Sequence, residues 1–149
     1  LRKEGIEVII HTILGLPGES TDDILKTMEY LNQIDIQGIK LQLLHVLRGT
    51  DLSADYERGM FRTYERDEYL SLLIKCLEHL RPDIVIHRIT GDGPKDLLIA
   101  PLWASRKREV LNMLHHRMKE EESFQGKYFI CKQNLIDCEE KAVIINSNV

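Results

Sequence analysis

Chemistry-bearing side chains collect at the ends of apolar runs. In Ile86-His87-Arg88-Ile89-Thr90-Gly91-Asp92 an imidazole, a guanidinium and a carboxylate follow one another just before Gly93-Pro94. An imidazole changes charge near neutral pH, and a guanidinium holds a carboxylate or phosphate through paired donors. His87, Arg88 and Asp92 are therefore the candidate catalytic set, with one structural alternative: Arg88 and Asp92 pair and close the Gly-Asp-Gly-Pro turn. His11 and His45 lie within other apolar runs, where a buried, hydrogen-bonded imidazole is the simpler reading. His115 and His116 are adjacent on a helical segment, so they do not face each other and belong to solvated surface.

These residues need strands to carry them. Ile6 to Leu16 is mostly apolar and partly β-branched, which reads as a parallel-sheet strand covered on both faces. It ends in the turn Gly15-Leu16-Pro17-Gly18. Ser20 to Asp23 then offers capping oxygens to a helix over about Thr21 to Gln33, with Ile24, Leu25, Met28 and Leu31 at helical spacing. Gly38 opens a second buried run, Ile39 to Leu47, in which Lys40, Gln42, Leu44 and Val46 share one face and Leu41, Leu43, His45 and Leu47 the other. Which face points inward stays open. A strand, helix, strand unit of this kind is right-handed.

Thr50 to Tyr64 reads as a long connection over the site, with a short helix near Leu52 to Arg58. From Glu65 the residues Tyr69, Leu72, Leu73, Cys76, Leu77 and Leu80 follow helical spacing until Arg81-Pro82. Asp83 to Thr90 forms a third strand, with Val85, His87 and Ile89 on one face and Ile84, Ile86, Arg88 and Thr90 on the other. Leu97 to Trp103 is an extended or turn segment through Pro101, with Trp103 packing a corner. Ser105 is expected to cap a helix carrying Val110, Leu111, Leu114 and Met118.

The ends read differently. Leu1 to Gly5 resembles a helix stop with Gly5 at its left-handed position, which suggests a longer protein upstream. Residues 1–122 form the main unit. Residues 123–149 form a tail or an appended hairpin, with strand-like runs at Tyr128 to Cys131 and Ala142 to Ile145.

A length of 149 residues, 43% hydrophobic and 30% charged, suits one packed core. The net charge of −4 excludes a general nucleic-acid coat, and the densest basic run, Arg106-Lys107-Arg108, reads as a solvated first helical turn. No apolar run approaches the roughly 20 residues of a membrane span, so no membrane partner and a cytoplasmic location are expected. Cys76, Cys131 and Cys138 are too few and too widely spaced for a disulfide framework, and no metal site is expected on this chain.

Taken in order, His11-Thr-Ile-Leu-Gly-Leu-Pro-Gly-Glu19, Gly38-Ile-Lys-Leu41, Leu44-His-Val-Leu-Arg-Gly-Thr50, Ile86 to Asp92, Leu98-Ile-Ala-Pro-Leu-Trp103 and Val110-Leu-Asn112 carry a resemblance. The series resembles the C-terminal half of bacterial radical S-adenosylmethionine proteins related to the catalytic subunit of Elongator. That resemblance implies an α/β fold, the C-terminal part of a partial (β/α) TIM-like barrel with parallel strands, flanking helices and a small C-terminal extension. It implies a 4Fe-4S cluster on a CxxxCxxC loop and S-adenosylmethionine cleaved to a 5′-deoxyadenosyl radical in the full-length protein. It also implies tRNA wobble-uridine modification.

By the same resemblance the first strand is the barrel's fifth, the second its sixth, and the strand from Asp83 an extension beyond it. Ile13 and Gly15 would meet the adenosyl group, and Leu44, His45 and Leu47 the adenine edge. The chain departs from the family pattern in having no CxxxCxxC. In the motif GxIxGxxE, His11 replaces the first glycine, Gly18 stands where Glu belongs, and Glu19 falls one residue late. This chain alone is therefore expected to bind no cofactor and to be inactive. Its expected partners are its own N-terminal half, a tRNA or small-molecule substrate, and a second copy through the exposed first strand. The alternative is a non-catalytic α/β binding or assembly module.

Overall fold

A computed structural model describes residues 4–91 and 93–129; Asp92, Cys131, Cys138 and the run Ala142 to Ile145 lie outside the described residues. Of the run from Tyr128 the two described residues, Tyr128 and Phe129, are helical rather than extended. Three parallel strands form its centre: β1 (Ile9–Leu14), β2 (Gly38–Leu43) and β4 (Val85–Arg88), in the order β1-β2-β4. Two helices, α1 (Thr21–Leu31) and α3 (Arg66–His79), cover one face. Against that face Leu14, Ile39, Leu41 and Leu43 meet Ile24, Met28, Leu70 and Leu73, all at most 2% exposed. A fourth helix, α4 (Lys107–Glu120), adds Val110 and Leu114 to the same core.

Local chemistry sets the helix ends. Ser20 and Asp23 form a reciprocal capping box at α1, and Glu65 with Glu68 forms another at α3. At the opposite end of the sheet, carbonyls left over at the C-terminus of α1 are taken up by Arg81, whose guanidinium donates to Asn32 O at 2.8 Å and Ile34 O at 3.2 Å. Gln125 Nε2 ties in the segment after α4, donating to Arg81 O and Ile84 O. Inside the core, Tyr69 donates its hydroxyl to Ile89 O at 2.7 Å, and burial pushes its phenol above the usual range.

Several expectations change here. β1 is covered on one face only, because the helices pack on the side of Leu14; Ile9 and Ile13 on the other face remain 41% and 42% exposed. The second run is not one strand to Leu47. It stops after Leu43, where the Leu44 amide donates the last rung of the ladder to Leu14 O at 3.0 Å. Val46–Leu47 then forms β3, antiparallel to β5 (Leu98–Ala100), in a separate small sheet.

The strand from Asp83 extends the sheet past the second strand: β4 pairs parallel with β2 on the side away from β1. A bulge between Ile39 and Lys40 sets Val85 against Gly38, Ile86 against Ile39, and Arg88 against Lys40. Arg88 therefore joins the face of Val85 rather than that of Ile86, as the extra residue of a bulge requires. Ser105 does not cap α4. It ends the 3₁₀ turn Leu102–Ser105 and donates to Leu102 O, while Arg106 precedes α4 without a side-chain cap.

Two local expectations hold. The short helix is α2 (Asp51–Glu57), and Gly5 adopts a left-handed φ of 72°. Among the described residues no helix is long and apolar enough to cross a membrane.

Candidate functional site

Parallel strands place their carboxyl ends on one side, and the register then decides which residues stand beside one another. His11, Lys40 and Arg88 occupy one row across β1, β2 and β4, and Ile13 pairs with Gln42 two residues further along. Partners in register share a face, so this row lies on the face opposite the helices, which settles the direction of Lys40 and Gln42. His11 is exposed rather than a core histidine; its Nε2 meets Gln42 Oε1 at 2.6 Å. His87 lies flat across Gly38, where an added Cβ would come 2.5 Å from the ring, and is also exposed.

The structure brings His87 and Arg88 together with Lys40 and His11, a polar row that sequence spacing did not assemble. It sets the two predicted groups at different heights. Gly15 lies four residues beyond His11, roughly 13 Å along the strand at about 3.3 Å per residue. His45 takes a third position: its ring fills the space over Gly91 and Gly93, and a Cβ on Gly93 would stand 2.8 Å from Nδ1. The segment after β2 and the turn after β4 thus close on one another. Leu44 is buried at 8%, and Leu47 reaches toward Gly93.

At the rim, Gly15 has a φ of 86°, and a Cβ there would meet the Tyr64 ring at 2.8 Å. Glu19 Oε2 accepts from both the Gly15 and Leu16 amides at 3.3 Å, holding the glycine turn. Glu19 thus acts on its own turn, whatever its offset from the family motif. Between this turn and Met60 to Tyr64 lies a cleft of about 330 Å³. The long connection therefore does run along the rim, and its aromatic residues were the signal. Trp103 supports it, donating Nε1 to Tyr64 O at 3.1 Å and packing its ring, tilted by 40°, 5.6 Å from that of Tyr69.

Arg62, in the cleft wall, is held outward by two bonds to Glu68 at 2.6 and 2.9 Å. Those bonds and the Glu65 amide pull the Glu68 carboxyl from about 4.5 down to about 2. A folded pKa below the unfolded one stabilises above the unfolded value and loses that contribution as pH falls through the folded one. The pair is exposed, so the effect is small. Denaturation midpoints of the native protein and Glu68→Gln should differ steadily above about pH 4.5 and converge toward pH 2.

The Radical_SAM C-terminal domain model matches residues 36–120. The chain belongs to that family. This radical SAM C-terminal domain is 43% identical over 129 residues to protein YtqA of Bacillus subtilis (strain 168), covering 87% of this chain and 40% of YtqA. It is 28% identical over 112 residues to Elongator complex protein 3 of Dictyostelium discoideum, covering 73% of this chain and 20% of that protein. The solved structure of archaeal Methanocaldococcus infernus Elp3 with an N-terminal deletion superimposes with a TM-score of 0.69 at 18% identity, over 84% of this chain and 29% of that one. The fold is thus α/β with a parallel sheet and flanking helices, matching part of a radical SAM protein. The family match starts at Ile36, yet β1 pairs with β2 along its whole length, so the radical SAM C-terminal domain and the strand before it share one sheet.

The described residues do not fit an iron-sulfur cluster. Cys76 is buried, with its thiol pushed up to about 12 by desolvation, and cluster ligation needs the thiolate. Among the described residues no group of three His, Cys, Asp or Glu side chains could hold a metal. For S-adenosylmethionine the described rim offers backbone and apolar surface at Gly15 and Leu16, with Tyr64 already over Gly15, while Ile13 is exposed on the open face of β1 below it.

Proposed function

We propose that this chain is the C-terminal, substrate-facing part of a radical S-adenosylmethionine enzyme that modifies tRNA, with the cluster loop on sequence preceding it. The observation that carries this reading is the polar row His11, Lys40 and Arg88, continued by Gln42, on the uncovered face of a parallel sheet in a radical SAM C-terminal domain. The row crosses the middle of β1 and β2 and reaches a strand end at Arg88, and such folds bind ligands toward the carboxyl ends of their parallel strands. In the whole protein the cofactor pair supplies the reactive 5′-deoxyadenosyl group. The residues here orient substrate: Arg88 and Lys40 hold its anionic part, and the His11 and Gln42 pair fixes an imidazole beside it. Support for RNA as the substrate comes from the resemblance to the catalytic subunit of Elongator, and Elongator complex protein 3 is among the relatives.

This chain alone is inactive, and the exposed Ile9 and Ile13 face of β1 is covered in the whole protein by its own preceding part. Expressed alone, the 149-residue chain would cover that face with a second copy; light scattering should find a dimer or larger. The location is cytoplasmic, in keeping with a free Cys76. The deciding experiment is anaerobic reconstitution of the intact protein with iron and sulfide, followed by measurement of 5′-deoxyadenosine. Cluster absorbance with 5′-deoxyadenosine formation is expected. An intact protein lacking CxxxCxxC and forming no product would leave the binding or assembly module instead.

A further inference from the structure

The four residues Phe61 to Tyr64 join α2 to α3 without the backbone bonding that holds the elements on either side. Among the described residues, none of their amides donates a hydrogen bond. Both ends, by contrast, are fixed. Gly59, at a φ of 72°, closes α2: its amide donates to Tyr56 O at 2.9 Å and that of Met60 to Asp55 O at 3.0 Å. Glu65 starts α3, its amide donating to Glu68 Oε2 at 3.0 Å within the capping box. A run without backbone bonds between two capped helix ends can change course without unwinding either helix.

Side chains alone hold this run down. Arg62 forks onto Glu68 at 2.6 and 2.9 Å, and Trp103 Nε1 donates to Tyr64 O at 3.1 Å. The Phe61 ring lies 5.7 Å from that of Tyr56 on α2. The Tyr64 ring fills the space beside Gly15, where an added Cβ would come within 2.8 Å, and so joins the run to the glycine turn across the cleft.

We propose that Phe61 to Tyr64 is a strap that opens and closes the space over the Gly15 turn, latched by Arg62 on Glu68 and by Trp103 on Tyr64. The latch sits on the fixed end of the strap. Glu68 Oε2 accepts from both Arg62 and the Glu65 amide, so Arg62 can leave while the cap of α3 stays in place. The Arg62 and Glu68 side chains are 71% and 43% exposed, and water replaces such a contact at little cost. Tyr64 is only partly buried, and Met60 beside the hinge is 73% exposed, so opening uncovers little apolar surface. Holds of this strength leave the open form a minority, on the order of 0.1–10%. A ligand approaching the glycine turn then meets a closed strap most of the time, and its apparent affinity falls in proportion to the open fraction.

The test is limited proteolysis of the intact protein by chymotrypsin, with cuts after Phe61 and Tyr64 identified by mass and each rate divided by that of the unfolded chain. Cleavage requires an extended segment, so its rate follows the open population. In the native protein these sites should be cut before Leu70 and Leu73 in the buried face of α3. Arg62→Gln removes the fork and leaves the cap, whereas Trp103→Phe removes the bond to Tyr64 O and keeps a ring beside Tyr69. Each should raise the rate at the strap about two- to fivefold, with the α3 sites unchanged. Arg58→Gln, which cuts the exposed pair with Asp55 ahead of the hinge, should change neither.

Unchanged strap rates in both variants overturn the proposal, as does a native protein cut in α3 first. An equal rise at the α3 sites in both variants would mean loosening of the whole fold and overturns it too. If only one variant loosens the fold, the other carries the test. An equal rise in Arg58→Gln would show that the latch is not specific and does the same. Proteolysis needs no cofactor, so these outcomes stand apart from the enzyme reading.

Discussion

Gly15→Val should lower the stability of the chain by about 2–4 kcal/mol, because two costs fall on one residue. The backbone is held at a φ of 86°, which a β-branched residue tolerates poorly, and the new Cβ meets the Tyr64 ring at 2.8 Å. At about 2–4 °C per kcal/mol for a chain of this size, the thermal midpoint should fall by roughly 5–15 °C. The two costs separate in a double-mutant cycle. Tyr64→Ala combined with Gly15→Val should recover the steric part and leave the backbone part, so the double variant unfolds above the sum of the singles. Strict additivity would show that Tyr64 does not press on Gly15 in solution.

Arg88→Ala in the intact protein should reduce kcat/KM for substrate modification by about 10–100-fold, the loss expected for one charge-assisted contact to a bound anion. 5′-Deoxyadenosine formation without substrate should stay near the native rate, because Arg88 is placed on substrate rather than on cofactor. His87→Ala should matter less: its ring spans Gly38 on the exposed side of the bulge, while Arg88 stands in the row with Lys40 and His11. Arg88→Lys should restore part of the loss by keeping the charge while giving up the paired donors. A loss under about threefold in Arg88→Ala would remove it from the site.

The bulge puts these two neighbours on one face at different heights, His87 over Gly38 and Arg88 beside Lys40. Alternation along Asp83 to Thr90 sets His87 and Arg88 on opposite faces, as any regular strand would. One extra residue opposite Ile39 and Lys40 moves Arg88 to the face of Val85. No periodicity in β4 alone carries that information, because a bulge is a property of a strand and its partner together. The break after Leu43 is similar: the apolar run continues to Leu47, but the ladder to β1 ends at the Leu44 amide, and Val46–Leu47 pairs with Leu98–Ala100 some fifty residues away.

By itself, the sequence determined the kinds of element and the family they belong to. Apolar periodicity marks α1 and α3, glycine turns mark the strand ends, and the ordered motifs point to the radical SAM C-terminal domain. These are local signals, written in residues a few positions apart. The tertiary structure alone decided which face of β1 stays open, that Lys40 and Arg88 share a row, and that Tyr64 covers Gly15. Each is a meeting of segments far apart in the chain, and what brings them together is burial of a common core and the register of strand pairing. Neither can be read within a single stretch of sequence.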